Sequence, residues 1–268
     1  MFVCYSGTGN SYYACKKLRQ ALGGRIVDIA RRVDSENYSV ALETEETLGI
    51  VFPVYFGTVP KAVRKYISGL KITGKNNYVY AVATCSSGSG YVSLDLKEIM
   101  GEKAPDACFT LIMPNNALVW MEKEDRDTVS RKLSEAEKEL ERIADDVKNR
   151  RTGEIRVVKG DWKPEDRDKF RKMYEDACDT SFFEADGNCI GCKFCERLCP
   201  ERAIKVYGKT PVWEKDSCSL CMGCADMCPH GAITYDGKYP SGRYFNESYY
   251  LRSIGIAMPM DDKRTDAL

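Results

Sequence analysis

Eight cysteines in two matching runs restrict this chain more than any other feature of it. Cys189, Cys192, Cys195 and Cys199 stand at C-x2-C-x2-C-x3-C spacing before Pro200, and Cys218, Cys221, Cys224 and Cys228 repeat that spacing before Pro229, 29 residues further on. The similarity extends past the cysteines, since Ala203-Ile204 follows the first run as Ala232-Ile233 follows the second. This is an internal duplication, and it marks a domain. Three thiolates so spaced wrap one iron-sulfur cube while the fourth reaches another, so the runs predict two [4Fe-4S] clusters. Zinc is the competing reading, but a tetrahedral ion takes two separated ligand pairs and does not need a third cysteine two residues on.

The other five of the thirteen cysteines, Cys4, Cys15, Cys85, Cys108 and Cys178, are scattered. Met1 runs straight into Phe2-Val3-Cys4-Tyr5, with no basic n-region or apolar h-region of a secretory signal. No apolar stretch approaches the roughly 18 residues that span a bilayer. The expected location is the cytoplasm, where thiols stay reduced and a disulfide framework is excluded. With 40 basic and 40 acidic residues the formal charge is zero, so no whole-chain field recruits nucleic acid or an anionic membrane.

Upstream of the cysteine runs, strand-like segments at 2–5, 25–29, 48–52, 78–84 and 108–113 alternate with helical ones at 11–22, 61–70 and 92–100. Such alternation predicts an α/β fold around a five-stranded, doubly wound parallel sheet. A long helix is expected at 124–149, where Val129, Leu133, Ala136, Leu140, Ile143 and Val147 form a narrow stripe. The stripe suits a helix packed on the sheet; an a/d seam of a homodimer is the alternative. The expected domains are 1–150, a linker with some helix and no chemistry at 151–185, a small α+β unit at 186–242, and a C-terminal extension at 243–268.

Three loops stand where the strands of such a sheet end. Ser6, Gly7, Thr8, Gly9, Asn10 and Ser11 join the first strand to the first helix, where backbone amides and the helix dipole favour a phosphate. The loop lacks both G-x-x-x-x-G-K-[ST] and G-x-G-x-x-G, which argues against a nucleotide triphosphate and a dinucleotide; a Gly/Ser turn without ligand is the alternative. Pro53, Val54, Tyr55, Phe56, Gly57 and Thr58 follow the third strand. Thr84, Cys85, Ser86, Ser87, Gly88, Ser89, Gly90 and Tyr91 follow the fourth. Doubly wound sheets bind ligands at this end, at the switch point of the strand order.

Residues 186–241 resemble two-cluster bacterial ferredoxins. The resemblance implies that Cys189, Cys192, Cys195 and Cys228 hold one cluster, and that Cys218, Cys221, Cys224 and Cys199 hold the other. Small free ferredoxins are usually acidic, whereas this segment has seven acidic and seven basic residues, which suits a tethered partner. Residues 1–150 resemble flavodoxins, which implies FMN with its phosphate on the loop 6–11 and its ring between the other two loops. Tyr55, Phe56 and Tyr91 are candidates to stack on the ring or to serve as core aromatics, and Gly57 matches the flavodoxin residue whose peptide meets the flavin. Cys85 departs from the usual polar residue there and has no sign of reactivity. The turn Met113-Pro114-Asn115-Asn116 lies near enough to approach the cofactor or to be an ordinary turn.

In this order, the two parts resemble fused flavodoxin-ferredoxin proteins of anaerobic bacteria and archaea. What that implies is an electron carrier passing low-potential electrons between the clusters and FMN, with a ferredoxin-like protein or an oxidoreductase as donor or acceptor. The alternative is a flavin-dependent reductase of a small organic substrate, fed by the clusters. The lone His230 sits inside the second cysteine motif, beside a cluster rather than at a substrate. No signature for direct use of NAD(P)H is present.

Overall fold

The structure, a computed structural model, describes residues 1–244 and 246. The expected C-terminal extension therefore lies outside the described residues except at 243, 244 and 246. The first half contains strands β1 (Phe2–Cys4), β2 (Ile26–Asp28), β3 (Ser39–Ala41), β4 (Thr47–Pro53), β5 (Lys71–Thr73), β6 (Tyr78–Cys85), β7 (Ala107–Ile112) and β8 (Gly153–Glu154). Among them run helices α1 (Asn10–Leu22), α2 (Ile29–Asp34), α3 (Lys61–Ser68), α4 (Val92–Met100) and α5 (Arg126–Lys148).

The main sheet is parallel throughout, in the order β2-β1-β4-β6-β7-β8. It has six strands rather than the five expected. The sixth, β8, pairs only Gly153 and Glu154 with Ala107 and Cys108, and two polar residues opening on glycine carry no apolar period to read. A separate parallel pair, β3 with β5, packs Val40 into the core beside α3.

Both faces of the sheet are buried, which explains the nearly continuous apolar strands. Successive residues point to opposite faces. Val3, Ile50, Phe52, Ala81 and Ala83 meet α2, α3 and α4 on one side. Phe2, Cys4, Val51, Tyr80, Val82 and Phe109 meet α1 and α5 on the other. Four residues of the α5 stripe, Ala136, Leu140, Ile143 and Val147, are buried in the chain's own core, with Leu133 packed beside them. Asp125 caps the helix, accepting from the Thr128 amide at 2.7 Å.

The second half holds α6 (Arg167–Ala177), β9 (Phe183–Ala185), α7 (Phe194–Leu198), β10 (Ile204–Tyr207), β11 (Thr210–Trp213), α8 (Gly223–Asp226) and β12 (Ile233–Tyr235). Antiparallel pairs β9-β12 and β10-β11 frame the cysteine runs.

The stretch read as a linker joins the two halves rather than merely tethering them. From α6, Arg167 and Arg171 donate to Asp95 Oδ1 on α4 at 2.5 and 3.0 Å, and the Thr58 hydroxyl bonds the other carboxylate oxygen. Tyr174, also on α6, accepts from the Lys61 amide at 3.0 Å and donates to the Ser219 carbonyl at 3.0 Å. Ser219 Oγ in turn accepts from the Ala62 amide at 2.9 Å. A helix leaves its first amides without partners, and here α6 and the cysteine-rich unit supply them to α3.

Candidate functional site: two cysteine quartets and an adjoining cleft

Two spaces inside the cysteine-rich unit are each walled by four thiols. Cys189, Cys192, Cys195 and Cys228 line one of ≈ 340 Å³, and Cys199, Cys218, Cys221 and Cys224 line another of ≈ 380 Å³, open mouths included. The last cysteine of each run thus crosses to the other run's trio. Left-handed backbone at Lys193 (φ 59°), Leu220 (φ 53°) and Met222 (φ 57°) turns each loop tightly around its space. Backbone amides of Ala203, Leu220 and Ala232 donate to the sulfurs of Cys199, Cys218 and Cys228 at 3.3, 3.3 and 3.4 Å.

Burial pushes the Cys195 thiol up to about 12 and raises those of Cys199, Cys218, Cys221 and Cys224 as well. Ionising four buried thiols together requires compensating positive charge, which an iron cluster supplies. Among the described residues, no three His, Cys, Asp or Glu side chains converge as they would on a single metal ion.

Residues 188–232 match the family model described as a 4Fe-4S dicluster domain. The match spans both cysteine runs and makes iron-sulfur electron transfer the chemistry of this dicluster domain. No curated protein matches the chain. His230 lines the space of the first quartet, within the matched region.

A cleft of ≈ 850 Å³, counting its open mouth, lies beyond the C-terminal ends of β1, β4, β6 and β7. Of the residues expected at the ligand, Asn10, Pro53, Val54, Tyr55, Phe56, Gly57, Thr84, Cys85, Ser86, Ser87 and Gly88 line it. Ser6, Gly7, Thr8, Gly9 and Ser11 of the first loop do not line it, and neither do Gly90 and Tyr91. The Tyr91 hydroxyl instead donates to the Lys163 carbonyl at 2.5 Å, with its ring edge-on to Trp162. Gly90 backs Gly57: a Cβ at position 90 would stand 2.6 Å from the Gly57 Cα.

Tyr55 and Phe56 serve both roles considered for them. They line the cleft and also pack on the dicluster core, where Phe56 lies 6.0 Å from the rings of Trp120 and Tyr174. Burial pushes the Cys85 thiol up to about 12, so it is neutral and a poor nucleophile.

The first loop presents what an anion needs. Among the described residues, the amides of Gly7, Thr8, Asn10 and Ser11 donate to no acceptor, and they stand at the start of a 13-residue helix. Around them the loop is pinned: Ser6 Oγ accepts from the Gly9 and Tyr12 amides, Ser11 Oγ bonds Thr84 Oγ1 at 2.7 Å, and Asn10 Nδ2 donates to the Pro114 carbonyl at 3.0 Å. Two contacts change the reading of its glycines. A Cβ on Gly7 would stand 2.4 Å from the Cβ of Cys221, and one on Gly9 would stand 2.6 Å from the Asn246 carbonyl oxygen. Gly7 is thus needed for the approach of a cluster loop, not only of a ligand.

Several cleft residues carry no sequence signal. Pro114, Asn115, Asn116, Ala117 and Trp120 extend the turn after β7, and only its place at a strand end pointed there. Trp162 comes from the stretch expected to hold no chemistry, and Leu220, Cys221 and Met222 come from the dicluster domain. Docking brings them in, and docking has no periodicity.

Proposed function

We propose that this protein passes single electrons between the two clusters of the dicluster domain and an FMN held in the cleft of a flavodoxin-like sheet. The observation that carries the reading is Cys221, which lines both the space of the second quartet and the cleft. One side chain spans cluster and ligand, so a centre in each place is separated by little more than a cysteine. Support for FMN comes from the strand order: the first five strands of the main sheet run second-first-third-fourth-fifth, the order of flavodoxin-like sheets, with the cleft at the switch between β1 and β4. The unpartnered amides of the first loop fit a phosphate, and the cleft walls of Tyr55, Phe56, Trp120 and Trp162 fit a flat heterocycle.

When bound, FMN supplies a centre that takes one or two electrons, which joins one-electron clusters to two-electron chemistry. The protein's residues set the path. Cys189, Cys192, Cys195 and Cys228 hold the outer cluster beside Ile190, which is 54% exposed, so a redox protein meets the chain there. Cys199, Cys218, Cys221 and Cys224 hold the inner one against the cleft. Enclosure of the cleft by Trp120, Trp162 and the 220–222 loop is the observation that favours the second reading, a reductase acting on a small organic substrate over the flavin.

Anaerobic rapid mixing tests the route. A reduced ferredoxin or another strong one-electron donor should reduce the FMN of the whole protein quickly, while NADH and NADPH alone should reduce it negligibly. Cys192→Ser, which removes a ligand of the outer cluster, should slow the protein donor sharply. Equal rates in the variant and the wild type would take the clusters off the path, and rapid reduction by NADH would favour the reductase.

A further inference from the structure

We propose that the inner cluster is a structural part of the FMN site, so that the cleft and the first loop bind FMN tightly only when the quartet of Cys199, Cys218, Cys221 and Cys224 is loaded. The inference rests on FMN being the ligand of the cleft. Three observations carry it. Leu220, Cys221 and Met222 form one wall of the cleft, so the loop that holds the cluster also shapes the ligand's space. The same loop backs the phosphate side, since Cys221 packs on Gly7 too closely to admit a Cβ there and a Cβ on Gly223 would stand 3.0 Å from the Gly7 carbonyl oxygen.

The third observation is the conformation of that wall. Leu220 and Met222 flank Cys221 with φ of 53° and 57°, a region that is unfavourable for residues carrying a Cβ. Met222 is held at one end only, as the cap of α8 whose carbonyl accepts from the Ala225 and Asp226 amides at 3.0 and 2.9 Å, and Leu220 belongs to no helix or strand. Ligation of Cys218, Cys221 and Cys224 to one rigid body fixes the rest of the turn. Without it the loop is free to leave the left-handed region, and the wall and the backing of Gly7 go with it. Linkage is reciprocal, so bound FMN also secures the inner cluster.

The test is an FMN dissociation constant, read from quenching of FMN fluorescence under anaerobic conditions with the whole chain. Compared are the loaded wild type, the same protein stripped of iron by a chelator and then reconstituted, Cys224→Ser, Cys192→Ser and Gly7→Ala. Stripping and Cys224→Ser should weaken FMN binding by roughly tenfold or more, in the range of ordinary site-to-site coupling. Reconstitution should restore it, and Cys192→Ser should leave it near the wild-type value. Gly7→Ala keeps every cysteine, and it should weaken FMN and lower the EPR signal of the inner cluster together while leaving that of the outer cluster. FMN binding that is equally tight with and without the inner cluster would overturn the coupling alone. Failure of the loaded wild type to bind FMN would overturn the FMN reading and the coupling with it.

Discussion

Replacing Cys199 with serine is expected to remove the cluster of Cys218, Cys221 and Cys224, although Cys199 is closer in sequence to the other trio. The reason is geometric. Cys199 lines the same space as the second run's trio and Cys228 lines the space of the first, with Cys199 already held by the Ala203 amide at its sulfur. Anaerobically prepared Cys199→Ser protein should fall from about eight irons per chain to about four, and the surviving EPR signal should be that of the outer cluster. Loss of the outer cluster alone would refute the crossed pairing. Cys192→Ser should produce the complementary loss, that of the outer cluster.

A second large effect is expected outside the two cysteine runs. Asp95 is fully buried on α4, and its carboxylate takes Arg167 and Arg171 from α6, with Arg64 3.8 Å away and the Thr58 hydroxyl completing the set. Removing Asp95 leaves Arg167 and Arg171 only the exposed Glu98, at 2.5 and 3.1 Å, and breaking the buried part of the network costs on the order of 3 kcal/mol. Asp95→Ala should therefore lower the melting temperature of the loaded protein by roughly 10 °C. Since α6 also carries Tyr174, which binds both Lys61 and Ser219, the loss should also loosen the dicluster domain from the sheet. A melting temperature within a degree of the wild type would show that α6 does not depend on Asp95.

What the sequence revealed and what it hid divide along a physical line. Cysteine spacing is local, and ligation around a cube imposes it, so both runs could be read directly; their matched region agrees with that reading. Apolar strands buried on both faces also announce themselves, as in 48–52 and 78–84. The cleft was legible wherever its walls are loops of one βα unit, such as Pro53 to Gly57 and Thr84 to Gly88. It was illegible wherever tertiary docking makes the wall. Trp162 lies in a charged stretch with no pattern, yet it packs over Gly57, where a Cβ would stand 2.9 Å from its ring. Nothing in the sequence marks Asp95, because its arginine partners on α6 lie more than 70 residues away. Gly7 was placed at a phosphate by its loop, and only the structure shows Cys221 on its other side.

Whether one chain holds two four-iron clusters and an FMN side by side is decided by quantifying iron, acid-labile sulfide and noncovalent flavin in anaerobically purified whole protein. The expected result is about eight irons, about eight sulfides and about one FMN per chain. Two zinc ions without broad visible absorption, or clusters without flavin in protein supplied with FMN, would contradict it.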